Sequence, residues 1–215
     1  MIKSNTKPKG ATSYQDTAFG IISRSKLLKL ELEGTKRGLE YLYDLVSKEK
    51  KPLITPEKII KLHEVSFGWI FPDWAGKYRT IQVVFSGKEA VEHYQVPELV
   101  SNLCQDLNER LFYLPKIDED AYVAKVVSLL AWFQHRFVLI HPFKDYNGRT
   151  ARMLTSLILF YLDLPPIELK AETESDRKQY LKAMQKADSG DYSFLENLIG
   201  KALIESLNKI QKKKK

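Results

Sequence analysis

His141, Asp145, Asn147, Gly148, Arg149 and Arg152 fall within twelve residues, inside the stretch FVLIHPFKDYNGRTARML that runs from Phe137 to Leu154. Together these types can do chemistry on a phosphate. His141 titrates near neutrality and can take a proton from an incoming hydroxyl. Asp145 is a hard oxygen ligand. Beside a polyphosphate it suits Mg²⁺, which takes one or two carboxylates plus phosphate oxygens. Asn147 can cap the helix that follows, with Gly148 in its first turn. Helix starts of this kind bind phosphate through their free N–H groups. Arg149 and Arg152 are three apart and so share a helix face. The positive end of a helix disfavours cations unless an anion sits with them. Two guanidinium groups there would make charge-assisted bonds to phosphate oxygens. Taken singly, each residue has an ordinary structural explanation. In this order and spacing they read as a polyphosphate site with a base beside it.

The elements around this stretch are mostly helical. A helix is expected from about 118 to 136, with Val123, Val126, Val127, Leu130 and Phe133 on one side. Pro142 bars the right-handed helical region at His141 and pushes that residue toward an extended conformation. Pro142 and the apolar Phe143 would fix the short loop between two buried helices. Upstream, apolar residues recur at helical spacing from about Tyr14 to Ser47, with Gly34 and Gly38 as weak points. Thr55-Pro56-Glu57 is a good helix start after a linker, and its helix should reach about Phe67. TIQVVF and AVEHYQV flank SGKE, which reads as a β-hairpin and is the one strand signal noted. Pro97 opens another helix. Two more are expected at about 173–187 and 191–212. The organisation is a disordered N-terminus over 1–12, an N-terminal helical region over 13–55, a main domain over 56–208 and a basic tail over 209–215. The fold class is all-α with one hairpin.

Composition sets the outer bounds. The chain has 215 residues, 44% hydrophobic and 28% charged, which suits one soluble domain with a real core. Cys104 is the one cysteine, so no intrachain disulfide framework is available. The N-terminal residues have no leader-like apolar run, and LTSLILFYLDLPP is too short to span a bilayer. The expectation is a cytoplasmic protein with no membrane partner. The net charge is +7, and four of the positive charges are Lys212 to Lys215. With no zinc-ligand spacing and no RNA-binding aromatic signature, that tail reads as a solvated helix end. No specific nucleic-acid partner is expected. Self-association is left open.

HPFKDYNGRTAR resembles the signature of Fic (Fido) domains, His-Pro-Phe-x-Asp/Glu-Gly-Asn-Gly/Lys-Arg-x-x-Arg, at eight of its nine named positions. FPDWAGKYRTIQVVFSG and RKQYLKAMQKADSGDYSFLENLI are similar to other segments of that family, so the resemblance covers about 57–205. It implies a Fic-type helical bundle with a hairpin flap. It also implies transfer of AMP from ATP to a Tyr, Thr or Ser hydroxyl of a target protein. Carried over by position, His141 would be the base and Asp145 would hold Mg²⁺, with Mn²⁺ an alternative at an oxygen site. Asn147, Gly148, Arg149 and Arg152 would bind the nucleotide phosphates. The flap residues Val83, Val84, Phe85 and Ser86 would clamp the target by strand addition. Tyr180 and Met184 are weaker candidates to border the adenine. Tyr146 stands where the family has glycine, which is costly if that backbone needs a positive φ. This leaves open transfer of phosphocholine or phosphate, or a module that binds without transfer. Many relatives carry an inhibitory helix with Ser/Thr-x-x-x-Glu-Gly/Asn. Glu33-Gly34 matches it in part, with Lys29 four residues before, while Glu196-Asn197 is preceded by Tyr192. The resulting expectation is that Glu33 pairs with Arg152 and restrains activity.

Overall fold

The chain does not enter its first helix at Tyr14. Two short strands, β1 (Tyr14–Thr17) and β2 (Gly20–Ser23), form an antiparallel hairpin first. The turn explains the departure from the helical expectation. Gly20 sits at φ +77°, and the Thr17 hydroxyl accepts from the Phe19 N–H and donates to the Gly20 carbonyl. The hairpin is pinned to the body by Ala18 N–H to the Ile70 carbonyl at 2.9 Å and by Phe19 edge-on to Trp69. The computed structural model describes residues 14–169 and 173–213. The reading of 1–12 as disordered falls outside them, as do Lys214 and Lys215 of the basic tail.

Seven α-helices follow among the described residues. They are α1 (Arg24–Lys48), α2 (Pro56–Phe67), α3 (Val96–Phe112), α4 (Tyr122–Ile140), α5 (Asn147–Tyr161), α6 (Glu174–Asp188) and α7 (Ser193–Lys213). Helix α2 starts where Thr55 accepts from the Lys58 N–H, with Pro56 at the first helical position. Helix α4 is central and packs against α3, α5, α6 and α7. It is long and apolar enough to cross a bilayer, yet Val126, Leu130, Phe133 and Phe137 lie fully buried in the core. It also runs four residues further than expected. Pro142 constrains only His141, so the apolar Phe137 and Ile140 complete the last turn against the core.

Between α2 and α3 stands the second hairpin, β3 (Val84–Phe85) with β4 (Lys88–Glu89). Its turn is just Ser86-Gly87, at φ +48° and +80°, the pair of positive angles that matches strand twist. Lys88 and Glu89 therefore belong to the ladder and not to the connection.

Helix α1 packs on α2 and α5 and shares their core through Leu27 and Leu42, so packing is continuous across residue 55. Its buried stripe is Leu27, Glu31, Gly34, Gly38 and Leu42, one face at helical spacing. The glycines are close-approach points, not weak points. A Cβ on Gly34 would lie 2.3 Å from the Ser66 carbonyl oxygen, and one on Gly38 would lie 2.2 Å from Ser66 Oγ. Glycine to alanine in a helix ordinarily stabilises by about 1 kcal/mol. Here Gly34→Ala is expected to destabilise by about 1–3 kcal/mol through overpacking. Urea unfolding reads the sign directly.

Candidate active site

The loop between α4 and α5 is built around two strained residues. His141 adopts φ +52°, ψ +58°, the left-handed region, where an extended conformation was expected. The proline rule excludes only the right-handed helix, and the left-handed region satisfies it as well. Tyr146 is also left-handed, at φ +61°, ψ +13°. Each such residue costs on the order of 1–3 kcal/mol and persists only where its surroundings hold it.

Arg79 holds the first. It is buried, and its Nε donates to the His141 carbonyl at 2.7 Å. The rest of its guanidinium reaches the carbonyls of Ile81, Val91 and Ile140, and its own N–H donates to the Pro142 carbonyl at 2.9 Å. One side chain thus ties the loop between α4 and α5 to both ends of the flap. Sequence reasoning passed over it. Its one signal was an arginine set among the aromatic and β-forming residues of WAGKYRTIQVV.

The other end of the loop is braced by Asn147 and His63. Asn147 is the first residue of α5, and Tyr146 occupies the cap position that the sequence assigned to Asn147. The Asn147 amide accepts from the Phe143 N–H at 2.9 Å and donates to the Phe143 carbonyl at 2.8 Å. Both ends of its amide are therefore engaged with the backbone of the loop. Phe143 is fully buried and stacks on His63 at 3.8 Å. His63, from α2, accepts from the Gly76 N–H at Nδ1 (2.9 Å), so its Nε2–H donates to the Asp145 carbonyl (3.2 Å).

Burial pushes the His63 imidazole down to about 4, only partly offset by the Asp145 carbonyl. A histidine whose folded pKa is depressed stabilises the fold above its unfolded value, near 6.5. That contribution is lost as pH falls through the folded value. Roughly 2–3 kcal/mol should disappear between pH 6.5 and 4.5 from this group. Denaturant midpoints across that window, compared with those of His63→Gln, check it. The variant should show a shallower loss.

His141 has its Nδ1 3.1 Å from the Val138 carbonyl. Nδ1 therefore carries the proton and Nε2 keeps the lone pair. Burial pushes the ring to about 4. The Val138 bond opposes this, while Arg79 and Lys88 add to it. The ring is neutral at pH 7. Phe85 of the flap lies stacked on it, with centroids 4.2 Å apart and planes 15° apart. Val84 is exposed, and Ser86 makes the turn.

Tyr146 is held by aromatic neighbours and by an acid. Its ring stacks on Phe67 at 4.2 Å and lies parallel to Trp74 at 6.0 Å. Its hydroxyl donates to Glu31 Oε1 at 2.8 Å. Arg24 bonds the same oxygen, and Arg149 Nη2 bonds Oε2 at 2.8 Å. Glu31 is 1% exposed, a buried carboxylate met by two cations and a hydroxyl. Burial alone would raise its pKa. Arg149, Arg24 and Tyr146 together hold it below the ordinary carboxylate range. Facing that charge, and buried itself, the Tyr146 hydroxyl is pushed up. Arg149 Nη1 is buried without a partner, a spare donor beside the pair.

Glu33 is not part of this arrangement. It lies half-exposed on the outer face of α1 and bonds Arg37 at 3.4 Å. Glu33 is out of phase with the buried stripe, and the acid of α1 that reaches the loop is Glu31, two residues earlier. Arg152 lies against the Tyr180 ring at 5.9 Å. Tyr180 is buried, accepts from Gln134 Nε2 at 2.9 Å and, with Met184, lines a small cavity beneath the flap tip.

Asp145 is exposed, with one carboxylate oxygen accepting from the Tyr146 N–H at 2.7 Å. Among the described residues no three acidic, histidine or cysteine side chains gather to hold a metal. A single carboxylate beside a phosphate site fits Mg²⁺, whose other ligands would be phosphate oxygens and water. The first N–H groups of α5 have no carbonyl ahead of them within the helix and sit in the same place.

Fold and loop together define a helical bundle whose central helix pair is joined by a loop that gathers a neutral histidine, the start of α5 and a spare Arg149 donor beneath a hairpin. The sequence pattern of the Fic/DOC family matches residues 53–159. A Fido domain-containing protein of Dictyostelium discoideum is 35% identical over 118 residues, covering 53% of this chain and 71% of that protein. A protein adenylyltransferase Fic of Nematostella vectensis is 30% identical over 191 residues, covering 88% of this chain and 42% of that one. The structure of Fic-1 from C. elegans is similar at a TM-score of 0.67 and 28% identity, over 85% of this chain and 52% of that one. The chain belongs to the Fic/DOC family. It spans less than half the length of the Nematostella protein.

Proposed function

We propose that this chain transfers AMP from ATP to a hydroxyl side chain of a target protein, with His141 as the general base. The observation that supports this most is the state of His141. Its Nδ1 proton is committed to Val138, so Nε2 offers a lone pair at the mouth of a loop that leads to Arg149 and Arg152. Relatives at about 30% identity over most of this chain are named protein adenylyltransferases.

In the reaction the target oxygen bonds the α-phosphorus and its proton passes to His141 Nε2. The bond between the α-phosphorus and the bridging oxygen breaks, and pyrophosphate leaves. Asp145 would hold the magnesium ion, which when bound neutralises phosphate charge. The spare Nη1 of Arg149 and the first-turn N–H groups of α5 would hold phosphate oxygens. The exposed edge at Val84 would take a target strand by main-chain pairing. Catalysis would rest on placement and charge stabilisation.

The same reading makes Glu31 a brake. Its carboxylate holds Arg149 at Nη2, so a phosphate gripped by both terminal nitrogens of that arginine must displace it. Tyr146 serves the brake by holding Glu31 with its hydroxyl, which gives a physical reason for a side chain where relatives carry glycine.

ATP labelled at the α-phosphate or at the γ-phosphate tests the transferred group. Retention of the α-label alone on protein is the expected result. Retention of the γ-label would mean phosphate transfer. Binding of ATP with neither label retained, by wild type and by Glu31→Ala, would leave a module that binds without transfer.

A further inference from the structure

The flap tip is tied to the helical body by more than the ring on His141. Lys88, in β4, pairs with Asp188 at the C-terminal end of α6. Asp188 is no ordinary surface acid. His135 of α4, itself 4% exposed, places Nε2 2.9 Å from the same carboxylate oxygen that Lys88 meets. Tyr192, in the connection to α7, sets its hydroxyl 3.3 Å from His135 Nδ1. Partial burial would raise the Asp188 carboxyl, but Lys88 and His135 hold it below the usual range. The Lys88 ammonium also lies 5.2 Å over the Phe85 ring. One lysine therefore joins the ring that covers His141 to an anchor built from three separate elements.

We propose that Lys88 is a positioning residue, and that its contact with Asp188 and His135 is a latch that keeps the flap closed with Phe85 over His141. The flap's own ladder is too short to fix its tip. It has two residue pairs and, nearer the base, the bond from the Ala90 N–H to the Val83 carbonyl and that from Gln82 Nε2 to the Ala90 carbonyl. Such a ribbon is marginal without outside contacts. Arg79 secures its base, leaving the tip to Phe85 and Lys88. With the tip down, the cavity beneath it is small and bounded by Phe85, Lys88, Val138, Tyr180 and Met184. Uncovering the imidazole then requires breaking the latch. The use of that opening by a substrate rests on the reading of His141 as base, but the latch itself does not.

The test reads the flap without any nucleotide or target. Diethyl pyrocarbonate modifies neutral, accessible imidazoles. Its rate at His141 can be followed by peptide mass at neutral pH, with buried His63 in the same sample as reference. Lys88→Met should raise the His141 rate about threefold, the size expected for one partly exposed ion pair. Lys88→Arg keeps the charge and should stay at the wild-type rate. Added salt should raise the wild-type rate toward that of Lys88→Met, since it screens the pair. Asp188→Asn should open the flap from the other side to a similar extent. A wild-type rate in Lys88→Met, or a rate in Lys88→Arg as fast as in Lys88→Met, overturns the latch. Absence of AMP transfer by the wild type and by Glu31→Ala, with the modification rates as expected, would speak against the proposed reaction and leave the latch standing.

Discussion

Glu31→Ala is expected to raise AMP incorporation about thirtyfold over the wild type while lowering stability by about 1–3 kcal/mol. Both effects have one origin. The Glu31 carboxylate accepts from Arg24, Arg149 and Tyr146 inside a nearly dry site. Hydrogen bonds to a charged group contribute about 1.5–3 kcal/mol each. A phosphate that takes both terminal nitrogens of Arg149 must first displace this set, and a net penalty of about 2 kcal/mol corresponds to the thirtyfold. Removing the carboxylate lifts the penalty. It also leaves two like charges and a buried hydroxyl without their acceptor, which is where the stability goes. A variant that loses stability and gains activity is hard to explain by general loosening. Glu33→Ala is the control. On the exposed face of α1 it should change neither the rate nor the stability, the latter staying within about 0.5 kcal/mol. Initial transfer rates and urea midpoints of the two variants decide it. A gain in Glu33→Ala without one in Glu31→Ala would put the brake at the other acid.

His141→Asn should lower transfer by about 10²–10⁴-fold, the usual contribution of a positioned base. Asparagine is the informative replacement because it tolerates the left-handed backbone that His141 adopts. Arg79 and the loop are then left in place while the lone pair at Nε2 is lost. Nucleotide affinity should stay close to wild type, since Arg149 and the α5 N-terminus lie at the other end of the loop. The pH dependence carries a sign that can be worked out. A base must be unprotonated, and burial holds this ring at about 4 in the closed state. Activity should therefore persist well below pH 6.5 as pH falls, then drop as the ring protonates. The acid limb of a rate profile on Glu31→Ala reads this. A limb near 6.5 would mean that the flap is open, and the ring solvated, in the reacting state.

Helix and loop order were readable from periodicity and from Pro56, Pro97 and Pro142, because those signals are local. Recognition of the loop from His141 to Arg152 rested on residue types at fixed spacing, which survives without knowledge of packing. The failures came where packing or turn geometry decides. The β1–β2 hairpin was masked because QDTAFGIIS carries apolar residues compatible with a helix, and only the turn at Gly20 redirects it. Glu33 was chosen because a glycine follows it. The helical phase of Leu27, Gly34, Gly38 and Leu42 puts Glu31, not Glu33, on the buried face, and that phase is legible in the sequence. Arg79, His63 and the partnership of Lys88 with Asp188 join residues up to a hundred positions apart. Nothing in their local spacing announces them.

The most direct measurement is the intact mass of Glu31→Ala and of Glu31→Ala/His141→Asn after incubation with ATP and Mg²⁺, alone and with candidate target proteins. The expected result is whole AMP units on the target or on the chain itself in the single variant, and none in the double. Equal AMP gain in both would remove His141 from the chemistry. No gain in either, while both bind ATP, would contradict AMP transfer at this loop.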